Sequence, residues 1–134
     1  MASKKNIGMW KKRLQVSIAN QDPKRIAVNC SLLGEAYLTT GKHKKAIKQF
    51  ETSLDIFAQI GQLHGIAVSN GNLGNAYRSL GEYQKAIEYY EKGLQISTEI
   101  GYRSGIASNN GNLGNANLSL GEYQKAIEYY EKGL

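Results

Sequence analysis

The chain has 134 residues, a length suited to one domain, and a formal net charge of +6 from 17 Lys and Arg against 11 Asp and Glu. Its single cysteine, Cys30, excludes an internal disulfide; no apolar run approaches the roughly 20 residues of a membrane span, and no charged-then-apolar signal opens the sequence. These features favour a cytoplasmic protein with no membrane contact.

The charge is uneven: residues 1–48 hold eleven basic and two acidic residues, whereas 49–134 hold six and nine. Trp10 beside Lys11, Lys12 and Arg13 is too little aromatic support for a nucleic-acid surface, so nucleic acid is disfavoured as a partner. The basic run reads as a solvated helix face.

In chain order, Lys4 to about Asn20 carries Ile7, Trp10, Leu14 and Ile18 at helical spacing, which predicts an amphipathic helix. Asp22-Pro23 then starts a second helix, to about Thr40: a carboxylate accepts from free backbone N–H groups, and proline fixes a helical φ at the first position. Gly41, Gly81 and Gly121 fall in one register and suit left-handed helix stops. Between them, Ile66, Leu73, Ala76, Tyr77, Leu80 and then Tyr83, Ala86, Ile87, Tyr90, Leu94 follow spacings of three and four. Each unit is therefore two antiparallel helices joined by a short turn. Helices are expected near 4–20, 24–40, 44–60, 64–80, 84–100, 104–120 and 124–134. Glu88 before Lys92, and Glu128 before Lys132, predict surface pairs on the second helices.

The units repeat. Residues 81–94 return verbatim at 121–134, an offset of 40, and Gly71-Asn72-Leu73-Gly74-Asn75-Ala76 returns at 111–116. A fixed period in this range means a solenoid, with a core of Leu33, Leu73, Leu113, Ala46, Ala86, Ala126, Phe50, Tyr90, Leu54 and Leu94. The divisions are a half repeat at 1–22, repeats at 23–62 and 63–102, and a truncated repeat at 103–134.

Leu73, Gly74, Tyr77, Gly81, Ala86, Tyr90 and Gly93 resemble the helix-turn-helix pattern of the tetratricopeptide repeat (TPR). Leu33, Gly34, Tyr37, Gly41, Ala46, Phe50 and Ser53 match again, as do Leu113, Gly114, Gly121, Ala126, Tyr130 and Gly133, with Asn117 replacing one aromatic. The period of 40 exceeds the family's usual ~34, which resembles kinesin light chain and the leucine-glycine-asparagine scaffolds that orient mitotic spindles. The resemblance implies an all-α, right-handed superhelical solenoid of about seven helices, and a scaffold binding a protein or peptide ligand in a concave groove. The fold alone does not name the partner.

Helical geometry puts Asn72, Asn75 and Ser79 on one side of a first helix, away from Leu73 and Tyr77, with Asn112, Asn115 and Ser119 placed likewise in the next repeat. In the family this face lines the groove. Asn carries donors and an acceptor suited to an extended peptide's backbone, and its weak helix propensity makes its recurrence pointed. Arg78 is the cation on the adjoining flank and Glu35 the anion of the first groove. Glycines stand at 71 and 111 and asparagines at 72 and 112, where the family's carboxylate-clamp members carry Lys and Arg, so an internal peptide segment is expected. Gly74 allows close approach of the paired helix. Gly71 opens room for a ligand backbone, so Gly71→Ala is expected to raise stability and lower affinity.

Catalysis has little support. Gly41-Lys42 lacks the earlier glycine of a phosphate loop, His43 and His64 stand apart, and Cys30 occupies an apolar position with no histidine beside it. No metal or cofactor is expected. The alternative is a self-associating structural array or a fragment of a longer scaffold: Ile7, Trp10 and Leu14 at one end, and Ile127, Tyr130 and Leu134 at the other, are expected to leave apolar faces open to end-to-end stacking.

Overall fold

A computed structural model describes residues 4–134, with side chains from Asn6 onward. Seven α-helices follow one another within it: α1 Lys4–Ala19, α2 Pro23–Thr39, α3 His43–Gln59, α4 Leu63–Ser79, α5 Tyr83–Glu99, α6 Arg103–Ser119 and α7 Tyr123–Lys132. Each follows its sequence expectation to within a residue or two. Asp22 caps α2, its carboxylate accepting from the Arg25 backbone N–H at 3.2 Å, with Pro23 at the first helical position.

The stops are of one kind. Gly41, Gly81 and Gly121 have φ of 80°, 77° and 78°, and Gly61 and Gly101 do the same in the alternate turns, so a left-handed residue falls every 20 positions. The next residue then donates back to the carbonyl five positions earlier, as in Lys42 N to Tyr37 O at 2.8 Å and Glu82 N to Tyr77 O at 2.9 Å. This satisfies carbonyls that the last turn would otherwise leave free. In the first turn Gln21 takes the left-handed position, at φ 52°.

The helices pack in sequence as an all-α array of antiparallel pairs, each against its neighbours in the chain. Leu33, Leu73 and Leu113 lie fully buried with Ala46, Ala86, Ala126, Phe50 and Tyr90. The close approach of the paired helices depends on Gly34 and Gly74: a Cβ on Gly74 would stand 2.5 Å from Tyr90 Cε1, and one on Gly34 2.6 Å from Phe50 Cε1. Leucine at 73 and glycine at 74 thus form one packing unit, an apolar side chain beside a gap that admits an aromatic ring.

Four expectations need correction. Leu54 and Leu94 are only partly buried; the backbones of consecutive second helices α3 and α5 do not come close among the described residues, which leaves the flank between them less covered. The packed stripe of α1 runs Ile7, Trp10, Leu14 and Ser17; Ile18, 100° further round, is exposed. Ile7 itself is buried, and Trp10 and Leu14 pack against the same core, so the open apolar residues of α1 are Met9, Val16 and Ile18. The Glu88–Lys92 and Glu128–Lys132 pairs are absent among the ion pairs of the described residues, where Arg25 and Asp22 meet at 3.4 Å. Lys92 instead lies over the Tyr89 ring at 5.0 Å and Lys132 over Tyr129 at 5.5 Å, contacts that hold the ammonium against a π face without desolvating a carboxylate.

Candidate functional site

The backbones of first helices α2, α4 and α6 approach one another in succession, whereas those of α1, α3, α5 and α7 do not approach any other second helix among the described residues; α7 reaches α5 only by a side chain, the Tyr129 hydroxyl donating to Glu91 Oε1 at 3.4 Å. Helices that converge lie on the inside of a bend, so the surface formed by α2, α4 and α6 is the concave side. Asn72, Asn75, Arg78 and Ser79 belong to α4, and Asn112, Asn115 and Ser119 to α6.

Three of the four asparagines already spend their acceptor. The Tyr90 hydroxyl donates to Asn75 Oδ1 at 2.6 Å, and the Tyr130 hydroxyl to Asn115 Oδ1 at 2.5 Å. Burial pushes the Tyr90 phenol up to about 12, with nearby Arg78 pulling the other way, so the hydroxyl keeps its proton and remains a donor at neutral pH. Arg78 Nη1 crosses from α4 to α6 and donates to Asn112 Oδ1 at 3.1 Å. Asn72 differs: its Nδ2 is buried and has no hydrogen-bond partner. Such a donor carries a desolvation penalty of about 1–3 kcal/mol unless something accepts from it.

The asparagines of this face therefore offer mainly donors, while Ser79 and Ser119, each having donated its single O–H, keep acceptor lone pairs. Asn75, Asn112 and Asn115 have committed Oδ1 and kept Nδ2. Ser79 and Ser119 lie in the last turns of the same helices, their hydroxyls donating to the carbonyls of Asn75 and Asn115 at 3.0 and 3.1 Å. A Cβ on Gly71 would meet only Asn109 Oδ1, at 3.7 Å, and one on Gly111 would meet nothing within 4 Å. Both glycines leave open space.

Glu35 occupies on α2 the register of Asn75 and Asn115, above Phe50 rather than a tyrosine. Glu35 is exposed and has no tyrosine hydroxyl to accept from at this register, and partial burial of its carboxylate raises its proton affinity above the ordinary carboxylate range. The concave face thus runs from an anion on α2 to Arg78 and the amide donors on α4 and α6.

Sequence reasoning missed the tyrosine partners. Their signal was the 15-residue separation of Asn75 from Tyr90 and of Asn115 from Tyr130, with Glu35 and Phe50 as the pair that lacks the hydroxyl. It also missed the asparagines turned inward. Asn70, Asn109 and Asn117 are buried and donate to carbonyls four residues back in their own helices, at 3.0, 2.9 and 2.8 Å. Asn117, standing in place of an aromatic, fills its site this way.

Cys30 is buried, and burial pushes its thiol up, away from the reactive thiolate. Among the described residues, no three His, Cys, Asp or Glu side chains are grouped to hold a metal, and no helix is long and apolar enough to cross a membrane.

A profile of the family described as Tetratricopeptide repeat matches residues 24–99 and 65–134. A comparison with curated proteins finds no match. Among solved structures, the chain is similar to the TPR domain of Arabidopsis FLU, with 23% identity and a TM-score of 0.79 over 83% of this chain and 93% of that one. It is similar to a Rap protein solved in complex with Competence and Sporulation Factor, with 21% identity and a TM-score of 0.90 over 95% of this chain but 36% of the Rap protein. A third similar structure is a kinesin light chain with nearly identical TPR-like repeats from Podosopora anserina, with 19% identity and a TM-score of 0.73 over 95% of this chain and 63% of that one. At these identities the likeness establishes the fold.

Proposed function

Because this chain belongs to the tetratricopeptide repeat family, whose helix arrays mediate protein–protein interaction, we propose that its concave face holds an extended or helical segment of a partner protein. Asn72, Asn75, Asn112 and Asn115 donate from their Nδ2 groups to backbone carbonyls or carboxylates of that segment. Arg78, tethered to Asn112, faces an acidic side chain of the ligand, and Glu35 disfavours acidic residues at the α2 end of the groove.

The observation that carries this reading is the buried, unpartnered Nδ2 of Asn72 beside neighbours whose acceptors are already used. Rotation of the Asn72 amide toward the groove brings that donor to a ligand oxygen and removes the penalty of leaving it unsatisfied, which gives the site a preference for acceptors. Gly71 and Gly111 leave the space a backbone needs.

The test is selection of binders from a random peptide library on the wild type, followed by affinity measurement on Asn72→Ala/Asn115→Ala. Loss of about tenfold or more is expected for two donors at ~1 kcal/mol each. Selected peptides that bind both proteins equally defeat the proposal. A second reading, self-association, draws on the exposed Ile127, Tyr130 and Leu134. It requires mass by light scattering to rise with concentration, and a mass constant at one chain removes it.

A further inference from the structure

Helices α1 and α2 wall a cleft of about 810 Å³ at the first edge of the array. Moved forward by one period of 40, its wall falls on positions that α2 covers. Arg13 corresponds to Ser53, which is fully buried, donates its Oγ to Ala27 O of α2 at 2.9 Å and lies 2.8 Å from Ser31 Oγ. Moved by two periods, Arg13 corresponds to Gly93, where a Cβ would stand 3.3 Å from Ala67 O of α4. The cleft is therefore a helix seat, of which the next is filled by α2 and the one after by α4.

Its chemistry differs from the filled seats. Where those carry Ser53 and Gly93, this one carries Arg13; where those carry Gly65 and Gly105, it carries Arg25. Ser53 and Gly93 let a first helix bring its backbone close, and Arg13 holds such a helix off; Gly65 and Gly105 lie against Phe57 and Ser97 of the preceding helix, so Arg25 adds charge to the wall. Lys12 adds a further cation to the rim, while Met9, Val16 and Val28 remain exposed as an apolar floor. Arg13 is held over the Trp10 ring at 4.9 Å. Asp22, the one acidic residue of the wall, pairs with Arg25 at 3.4 Å and leaves the other cations uncompensated.

We infer that this cleft is a docking site for an acidic amphipathic helix of a partner protein, separate from the concave face. The apolar ridge of that helix lies on Met9, Val16 and Val28, and its flanking carboxylates meet Lys12, Arg13 and Arg25. This is the helix-in-groove mode of recognition, with charge setting the choice of partner.

The experiment uses the full chain and three labelled 17-residue peptides. One is amphipathic with leucines on one face and glutamates flanking them, one has lysines in place of the glutamates, and one has the sequence of α4. Binding is read by anisotropy and by the fluorescence of Trp10, the only tryptophan. The glutamate peptide is expected to bind, with Kd raised about tenfold or more by Arg13→Glu/Arg25→Glu, and to weaken as salt rises. Lys12→Glu/Lys24→Glu, at two wall residues that make neither the contact with Trp10 nor the pair with Asp22, tests the same charge if the arginine variant loses helicity by circular dichroism, and also raises Kd. Asn72→Ala/Asn115→Ala leaves this binding unchanged. Failure of the glutamate peptide to bind, equal binding to wild type and the lysine-reversed chain, or loss of binding in the groove variant overturns the assignment. So does tighter binding of the α4 peptide, which gives the seat to a repeat helix.

Discussion

Two glycines three positions apart in α4 respond oppositely to the same substitution. A methyl at Gly74 stands 2.5, 2.6 and 3.0 Å from Tyr90 Cε1, Cδ1 and Cγ, and the ring has no exposed surface through which to retreat. Overpacking of this kind destabilises by about 1–3 kcal/mol, and contacts this short belong in the upper half of that range. Alanine recovers about 1 kcal/mol of helix propensity over glycine. Gly74→Ala should therefore destabilise by about 1–2 kcal/mol net. At Gly71 the nearest atom, Asn109 Oδ1, is 3.7 Å away, an ordinary contact, so only the propensity remains and Gly71→Ala should stabilise by about 1 kcal/mol. The assay is urea unfolding followed by far-UV circular dichroism and by Trp10 fluorescence, with coincident transitions required before free energies are compared. In a Tyr90→Leu background the ring is gone and the penalty at residue 74 should shrink. Equal signs for the two alanines, or an undiminished penalty without the ring, refute the packing argument.

Other expectations follow from the same contacts. Tyr90 ionises near 12 in the fold against about 10 in the unfolded chain; the stability this confers is complete below the unfolded value and is lost as pH rises to the folded one. Tyr90→Phe should flatten that alkaline decline in thermal melts, and also lower stability at neutral pH by about 1 kcal/mol through loss of the bond to Asn75. Glu35, with its proton affinity raised by burial, favours the fold when protonated and loses that contribution as pH rises through its folded value. Glu35→Gln should accordingly melt slightly higher than wild type at neutral pH and converge with it in acid. Asp22→Ala removes the one side-chain cap on α2 and should destabilise by about 1 kcal/mol in urea unfolding.

The helices were legible because local signals agree at their boundaries: the apolar spacing inside each helix, a glycine at a left-handed stop after α2, α4 and α6, and Asp22-Pro23 at the start of α2, where Gln21 takes the left-handed position. Gly74 was legible as a packing glycine because an aromatic recurs at a fixed distance in the paired helix. The direction of the asparagines was not. A helical wheel places Asn75 on a face, but it does not say that Tyr90 arrives from another helix and occupies Oδ1, which converts a two-way group into a donor. A helical wheel likewise does not show that the hydroxyls of Ser79 and Ser119, in the last turns, donate to their own carbonyls four residues back. The open face of α1 was misplaced because one step of 100° separates Ser17 from Ile18, and only the position of α2 decides between them.

The groove itself is tested most directly by side-chain amide resonances. In a chain labelled with ¹⁵N at asparagine, titration with a library-selected peptide is followed through the Nδ2 groups of Asn72, Asn75, Asn112 and Asn115. The account predicts that these four shift together at one saturation point, with Asn72 gaining protection from exchange as it acquires an acceptor. Shifts confined to the backbone amides around Glu88, Lys92 and Glu128 on the second helices, with the four asparagines unmoved, would contradict it.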